Sequence, residues 1–488
     1  FCWNIQRGIP LPYFISNSIS FTLAASSNRG TIVKVIQTKS RMAGGRSRNL
    51  QPAAARVVMP SIQTLLRDLE TPEVGQKLSA LYGNVPERIG AMQQRWLRLA
   101  WEFEREFPAT VEAELFSTPG RTEVGGNHTD HNAGRVLAAA VDLDLIAVAG
   151  RAEDSIIRVI SEGYPRVEVD VRQLEAVEEE RYSTAALIRG ICARLSQLGW
   201  RVGGFNACIT SDVPKGSGLS SSAAFEVQIV TIINYLYNHG RIGPVENALT
   251  SQFAENNYFG KPCGLMDQTT CAVGGFVTID FQDAAKPIVH KLEYDFAASG
   301  YSMVIVETGG DHADLTDEYA GITSEMKSVA HMLGGKVLRD VSKQVLLDRL
   351  PVLHGKVSDR AILRAFHFFD DDQRVVEQVD ALEWGDFPGF LNLVRESGRS
   401  SWMLLQNCFS TRSPLQQGIT LAQALTAQIL GDQGAWRVHG GGFAGTIQVF
   451  VPAGLTKTYV QRMESVFGVG SCYPVMIRNL GSTRVDIQ

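Results

Sequence analysis

From residue 61 to 107 apolar positions (Leu65, Leu69, Leu78, Leu81, Met92, Trp96, Leu99, Trp101) recur mostly three or four apart, broken by Gly83 and Pro86. That period predicts helices. Beyond Pro108 the texture changes to short β-like runs at 114–117, 135–140, 143–149, 156–160 and 167–171. Phe205, Ala207 and Ile209 alternate with Asn206, Cys208 and Thr210, as a half-buried strand requires. Ala223, Val227, Val230, Ile233 and Tyr237 then recur at helical spacing, so a strand, a Gly/Ser loop and a long helix follow one another. A further β-like run at 303–307 opens a second lobe near residue 300, and in 446–451 Ile447, Val449 and Val451 face one way. The expected class is α+β in two lobes: a leader over 1–49, a helical preface over 50–110, an N-terminal lobe over 111–300 and a C-terminal lobe over 301–488.

Composition narrows the function classes. The chain has 488 residues, 44% hydrophobic and 20% charged, enough to bury two or three cores, which excludes a disordered or fibrous protein. Lys+Arg 46 against Asp+Glu 51 leaves no basic excess, so nucleic acid is not an expected partner. Asp142 and Asp144 interrupt the apolar run at 137–150, and Glu226, Gln228 and Asn234 the run at 225–237, so no membrane span is expected. The seven cysteines are scattered without a C-x-x-C pair, which points to neither a disulfide framework nor a zinc knuckle and fits a cytoplasmic setting. The first 49 residues hold seven basic and no acidic residues, a composition shared by organellar transit peptides and by a leader that is not native.

Four segments carry candidate chemistry. In P-K-G-S-G-L-S-S-S-A-A (214–224), between strand and helix, the glycines permit close backbone approach, the serines offer donors or a magnesium ligand, and the helix start presents free N–H groups to an anion. It is neither a nucleotide P-loop nor a dinucleotide fingerprint nor a G-x-S-x-G elbow, and a Ser-rich helix cap would satisfy the same pattern. In P-G-R-T-E-V-G-G-N-H-T-D-H (119–131), Asn127, His128 and Asp130 on a Gly-shaped loop both donate and accept, as a hydroxyl-rich substrate requires, with Arg121 available for phosphate charge. His128, Asp130 and His131 are zinc ligands by type, although consecutive spacing seldom aims three side chains at one ion; a plain polar turn is the third alternative. In F-G-K-P-C-G-L-M-D-Q (259–268), Asp267 is a helix-start cap or a buried base. The glycines of V-H-G-G-G-F-A-G-T (438–446) before a strand indicate backbone packed against a ligand or another loop, or a plain turn.

Taken together and in this order, the segments resemble the GHMP small-molecule kinases, and among them the galactokinases, over about residues 110–450. The resemblance implies a ribosomal-S5-like N-terminal lobe, a ferredoxin-like C-terminal lobe and a site between them for ATP, Mg2+ and a sugar. It implies that Asp267 is the base on the C1 hydroxyl and that Arg121 restrains Asp267 and the transferring phosphoryl group. Ser221 and Glu255 become magnesium ligands, and Gly216, Ser217, Gly218, Leu219, Ser220, Ser221 and Ser222 the ATP loop. Asn127, His128, Asp130, Gly264 and Tyr319 match sugar contacts. The chain departs from the family pattern at Glu123 and Asn127, where Asn and Glu are usual, and at Ala444, where glycine is usual. A neutral amide at 127 offers a donor where the family has an acceptor. The implied reaction is therefore galactose to galactose 1-phosphate, or the same chemistry on galacturonate, an N-acetylhexosamine or arabinose. A catalytically silent sugar sensor with a regulatory partner is the alternative of another class.

Overall fold

The computed structural model describes residues 59–487 apart from 215, 284 and 311–314. The expected leader, the first residues of the preface and Cys2 lie outside the described residues. The helical spacing after Ser61 resolves into α1 (Ile62–Leu69), α2 (Val74–Tyr82) and α3 (Pro86–Glu106). Ser61 caps α1 by accepting from the Thr64 N–H, and Pro86 opens α3 where its missing N–H removes no helical bond.

The first sheet begins with β1 (Glu114–Gly125), β2 (Arg135–Arg151), β3 (Ile156–Ser161) and β4 (Val167–Asp170). After α4 (Thr184–Gln197) come β5 (Phe205–Ser211), α5 (Ser221–Asn238), α6 (Pro244–Ala254), α7 (Met266–Val273) and the hairpin β6 (Phe276–Asp280) with β7 (Ile288–Leu292). Two expectations change here. The runs at 135–140 and 143–149 are one strand of 17 residues, pairing β1 along one edge and β6 and then β5 along the other. Asp144 does not break it, because Tyr82, Ser117, Arg95 and Arg478 all donate to its carboxylate. β5 is not half-buried: Phe205, Ala207 and Ile209 belong to the main core while Cys208 belongs to the second apolar cluster, built largely from α1–α3. The preface is a layer of this lobe, since only with it does the outer face of the sheet leave water.

The second sheet opens with β8 (Tyr301–Glu307). Five helices follow, α8 (Thr316–Met332), α9 (Lys343–Leu353), α10 (Asp359–Glu383), α11 (Phe387–Ser400) and α12 (Gly418–Leu430), then β9 (Ala435–His439), β10 (Thr446–Pro452), α13 (Thr456–Phe467) and β11 (Cys472–Val475). The order β11-β8-β10-β9 is the ferredoxin-like arrangement, with α8–α11 as an insertion before its first packing helix. Ile447, Val449 and Val451 turn toward α12 and α13, whereas Phe450 faces the main core. The chain then leaves this lobe. Its last strand, β12 (Thr483–Val485), pairs with β1, so the segment after Val475 belongs to the first sheet and the C-terminal lobe does not extend to residue 488. Among the described residues no helix is long and apolar enough to cross a membrane.

Candidate active site

All twelve residues of β1 are buried, and its far half is the G-R-T-E-V-G motif; that segment is strand where a loop was expected. Arg121 sends Nε to Asp267 Oδ1 at 2.7 Å and Nη2 to Asp267 Oδ2 at 2.5 Å, while Nη1 donates to the Gly218 carbonyl. One guanidinium thus ties β1, the Gly/Ser loop and α7 together. Burial works against the charge of Arg121, but Asp267 outweighs it and Arg121 is raised from its ordinary value. Asp267 lies in the first turn of α7 and caps nothing. Its side chain is 32% exposed. Ser220 Oγ also donates to Oδ2, so Oδ2 takes two bonds and Oδ1 one, which leaves Oδ1 with acceptor capacity.

Because Ser220 bonds Asp267, it does not cap α5; it sits at the N-cap with φ +60 and no side chain closes that helix end. The first N–H groups of an 18-residue helix stay available to an anion. Within the loop the side chains divide. Ser217 is buried, with its hydroxyl on the Pro214 carbonyl, and Leu219 is buried in the main core, so both can meet a nucleotide only through the backbone. Gly216 and Ser222 are exposed, and Gly218, Ser220 and Ser221 are partly so.

Two buried carboxylates, Glu226 of α5 and Glu255 just after α6, meet at Gln268 of α7. Gln268 Nε2 bridges Glu226 Oε2 (3.1 Å) and Glu255 Oε2 (2.9 Å), and Lys261 Nζ stands 3.7 Å from Glu255 Oε1. Glu226 Oε1 is buried without a partner, and burial together with Glu255 holds this carboxyl well above the usual range. Paired carboxylate oxygens, one of them buried without a partner, and the Ser221 hydroxyl, which opens the helix that carries Glu226 and makes no hydrogen bond among the described residues, are the hard donors a magnesium ion takes.

The turn after β1 crosses Gly126 at φ +83, where a Cβ would meet the Arg135 carbonyl at 2.3 Å. His128, also at positive φ, donates from Nε2 to the Gly441 carbonyl (2.9 Å) and lies 6.5 Å, ring to ring, from Tyr319. Burial and the neighbouring His131 push His128 down to about 4, so at neutral pH it is uncharged, with Nδ1 free to accept a hydrogen bond. Among the described residues no group of three or more His, Cys, Asp or Glu is arranged to hold a metal ion. Tyr319 donates to the Gly442 carbonyl (3.2 Å). Gly264 stands where a Cβ would come within 3.0 Å of Asp130 Oδ2. His439 bridges Thr122 and Thr446 at 3.0 Å each, and burial with Arg121 and Arg437 pushes it down to about 3.

Arg121, Glu123, His128, Asp130, Asp267 and Tyr319 share the wall of one cavity of about 250 Å³, with Gly264, Gly440 and Gly441. That is below the roughly 300–1,000 Å³ of drug-sized clefts and suits one small polar molecule. Asn127 is not brought to it. The residue is fully buried; Nδ2 donates to Glu123 Oε1 (2.9 Å) and Gly440 O (2.8 Å), and Oδ1 accepts from Asn407 (2.8 Å) and Ser401 (3.3 Å). With every donor and acceptor engaged, the amide holds the wall from behind. Glu123 faces the cavity instead, its Oε1 also held by Arg437 Nη2 at 2.8 Å. Sequence reasoning missed Glu123, Arg437, Asn407 and the partnership of Ser220 with Asp267. Period-2 alternation along β1 would have placed 121 and 123 on one face.

Two family models match the chain: GHMP kinases N terminal domain over residues 186–275, and galactokinase galactose-binding signature over residues 102–151. Among solved structures, galactokinase of Lactococcus lactis complexed with galactose is 23% identical with a TM-score of 0.67, covering 79% of this chain and 98% of its own. The mevalonate kinase of Methanococcus jannaschii is 13% identical (TM-score 0.54, 74% of this chain and 98% of its own). The D-glycero-D-manno-heptose 1-phosphate kinase from Bacteriodes thetaiotaomicron is 17% identical (TM-score 0.51, 77% and 99%). These likenesses show the fold, two sheets with the same α+β architecture. One signature spans the sugar-side strand and turn and the other the Gly/Ser loop with its helix, so the chain belongs to the GHMP kinases and is a sugar kinase of the galactokinase type.

Proposed function

We propose that this kinase transfers the γ-phosphoryl group of ATP to the anomeric hydroxyl of galactose, giving galactose 1-phosphate and ADP. The observation that carries the proposal is the Arg121–Asp267 pair, which joins a cavity of small-sugar size to the uncapped start of α5. The sugar's C1 oxygen attacks the γ-phosphorus, the bond from that phosphorus to the β,γ-bridging oxygen breaks, and the C1 hydroxyl proton passes to Asp267 Oδ1. Arg121 holds the Asp267 carboxylate in place through both of its oxygens and adds positive charge beside the transferring group. The loop backbone from Gly216 and the first N–H groups of α5 receive the ATP phosphates. Ser221 and Glu255, backed by Glu226, would hold a magnesium ion, which when bound neutralises phosphate charge. His128, Asp130 and Tyr319 orient the sugar; positioning is most of what phosphoryl transfer asks of the protein. The six described cysteines are free thiols, which supports a reducing, cytoplasmic setting.

The test is magnesium-dependent ADP release with galactose, galacturonate, N-acetylgalactosamine, arabinose, glucose and no sugar. Galactose is expected to support turnover above the others, with phosphate on the anomeric oxygen of the product. ADP release that no sugar stimulates would overturn the proposal.

A further inference from the structure

We propose that the C-terminal lobe carries a second binding site, for a small flat aromatic molecule bearing an acidic group. The site is a cavity of about 290 Å³ between α11, the turn after it (Ser401–Leu405), α12 and β9, and it shares no lining residue with the sugar cavity. Its apolar surface comes from Trp402 and Met403 of the turn, Trp436 of β9, and Ala424 and Ala427 of α12. The two alanines are three positions apart on one helix face, and their short side chains leave the hollow that the indoles border. A Cβ on Gly398 would meet the Trp436 carbonyl at 2.6 Å, so α11 packs directly on β9 and the walls hold their spacing. Trp402 and Met403 are 43% and 64% exposed, large apolar side chains that the described chain leaves uncovered at the rim. Indole faces accept a flat ring, and the Met403 thioether adds a polarizable contact.

Charge sets the other half of the ligand. Arg395 and Arg399 line the cavity one turn apart on α11. Arg395 Nη1 donates to the Gly434 (2.9 Å) and Asp432 (3.3 Å) carbonyls, which leave its charge unneutralised, and Arg399 has no hydrogen bond or ion pair among the described residues. Glu396 between them is engaged elsewhere: Oε1 accepts from Asn392, and Oε2 stands 3.9 Å from Arg374 Nε. Among the described residues no Asp or Glu lines this cavity, whereas Glu123, Asp130 and Asp267 line the sugar cavity. Gln423, 6% exposed, adds a buried Nε2 without a partner, and an acceptor brought by a ligand would remove the cost of leaving it unpaired. A guanidinium pairs with a carboxylate and also stacks on a ring. An aromatic acid therefore uses both halves of the site, while a neutral sugar or a cation uses neither.

The probe is 2-naphthoate, a fused ring with one carboxylate, titrated calorimetrically into the full chain beside 2-naphthalenemethanol, which keeps the ring and carries no charge. The acid is expected to bind about 10-fold tighter than the alcohol or better, with the same affinity when galactose and a non-hydrolysable ATP analogue are present in excess. Arg399→Gln removes the unpaired charge and is expected to weaken the acid about 10-fold with little effect on the alcohol. Ala427→Phe fills the hollow and is expected to weaken both by about 10-fold or more. A circular-dichroism spectrum like the parent's identifies folded variants, and Arg399→Gln, at an exposed position, carries the test if Ala427→Phe does not fold. No binding of 2-naphthoate by the parent, equal affinity for acid and alcohol, displacement by galactose or the ATP analogue, or binding that no folded variant alters would overturn the inference.

Discussion

Arg121 grips both carboxylate oxygens of Asp267, Nε to Oδ1 at 2.7 Å and Nη2 to Oδ2 at 2.5 Å, and Ser220 occupies Oδ2 a second time. An amide at 267 keeps the shape but presents either N–H groups to a guanidinium that has only donors or an oxygen with no charge to receive a proton. Asp267→Asn is expected to lower kcat by about 10²-fold or more with the ATP-analogue affinity close to the parent's. Steady-state kinetics with a parallel nucleotide titration checks it; near-parental kcat would remove Asp267 from the proton's path.

Asn127 calls for a different expectation from a substrate contact. Its amide donates to Glu123 Oε1 at 2.9 Å and accepts from Asn407 at 2.8 Å in a fully buried place. Asn127→Glu would set a second carboxylate against Glu123 and leave the Gly440 carbonyl without its donor. The expected loss is about 3 kcal/mol of stability, read as a lower urea midpoint. The exchange Glu123→Asn with Asn127→Glu, which leaves a single carboxylate, is expected to recover at least half of that loss. An unchanged midpoint in the single variant would contradict the saturated role of Asn127.

His128 and His439 give stability a defined acid limb. Both are held neutral, at about 4 and about 3, mainly by burial, against about 6.5 in the unfolded chain. A lowered folded-state value means that the unfolded chain binds more protons between about pH 6.5 and 4, so stability falls as pH drops through that window. Each pKa unit corresponds to about 1.4 kcal/mol. Asp142, raised to about 6 by burial, acts in the opposite sense, its contribution falling as pH rises from about 4 to 6. The comparison that isolates the histidine is therefore the difference in urea midpoint between parent and His439→Gln from pH 7 to 4.5. The difference is expected to narrow as pH falls, and a constant offset would show that folding does not lower the His439 value below that of the unfolded chain.

How far the site is legible in the sequence depends on whether its parts are contiguous. Arg121, Asp267 and the Gly/Ser loop each sit in a compact motif, and the structure brings the three together although Arg121 and Asp267 are 146 positions apart. The opposed roles of Glu123 and Asn127 do not show in the composition of the motif, which reads as a loop; as strand, its alternation decides which side chain meets the cavity. Arg437 comes from 314 positions away on β9, and no local pattern couples it to Glu123. The three residues of β12 are too few to show a period and become a strand only because β1 offers an open edge.

That returning tail supports the last prediction. Arg478, fully buried, donates to Ser117 Oγ at 2.7 Å and to Asp144 Oδ2 at 3.1 Å, while Arg95 of α3 reaches Asp144 Oδ1 at 2.6 Å and Tyr82 of α2 reaches Oδ2 at 2.9 Å. One carboxylate on β2 thus joins the helical layer to the C-terminal segment beneath the first sheet. Its carboxyl is lowered, burial being outweighed by Arg95 and Arg478. Arg478→Met keeps the apolar stem and removes one of two cations from a buried anion, so the expected loss is about 3 kcal/mol. Arg95→Met is expected to cost a similar amount, and the double variant more than the sum, because Asp144 then has no cation left. Urea denaturation of the four proteins measures the cycle, and strict additivity would mean that the tail and the helical layer are held independently of each other.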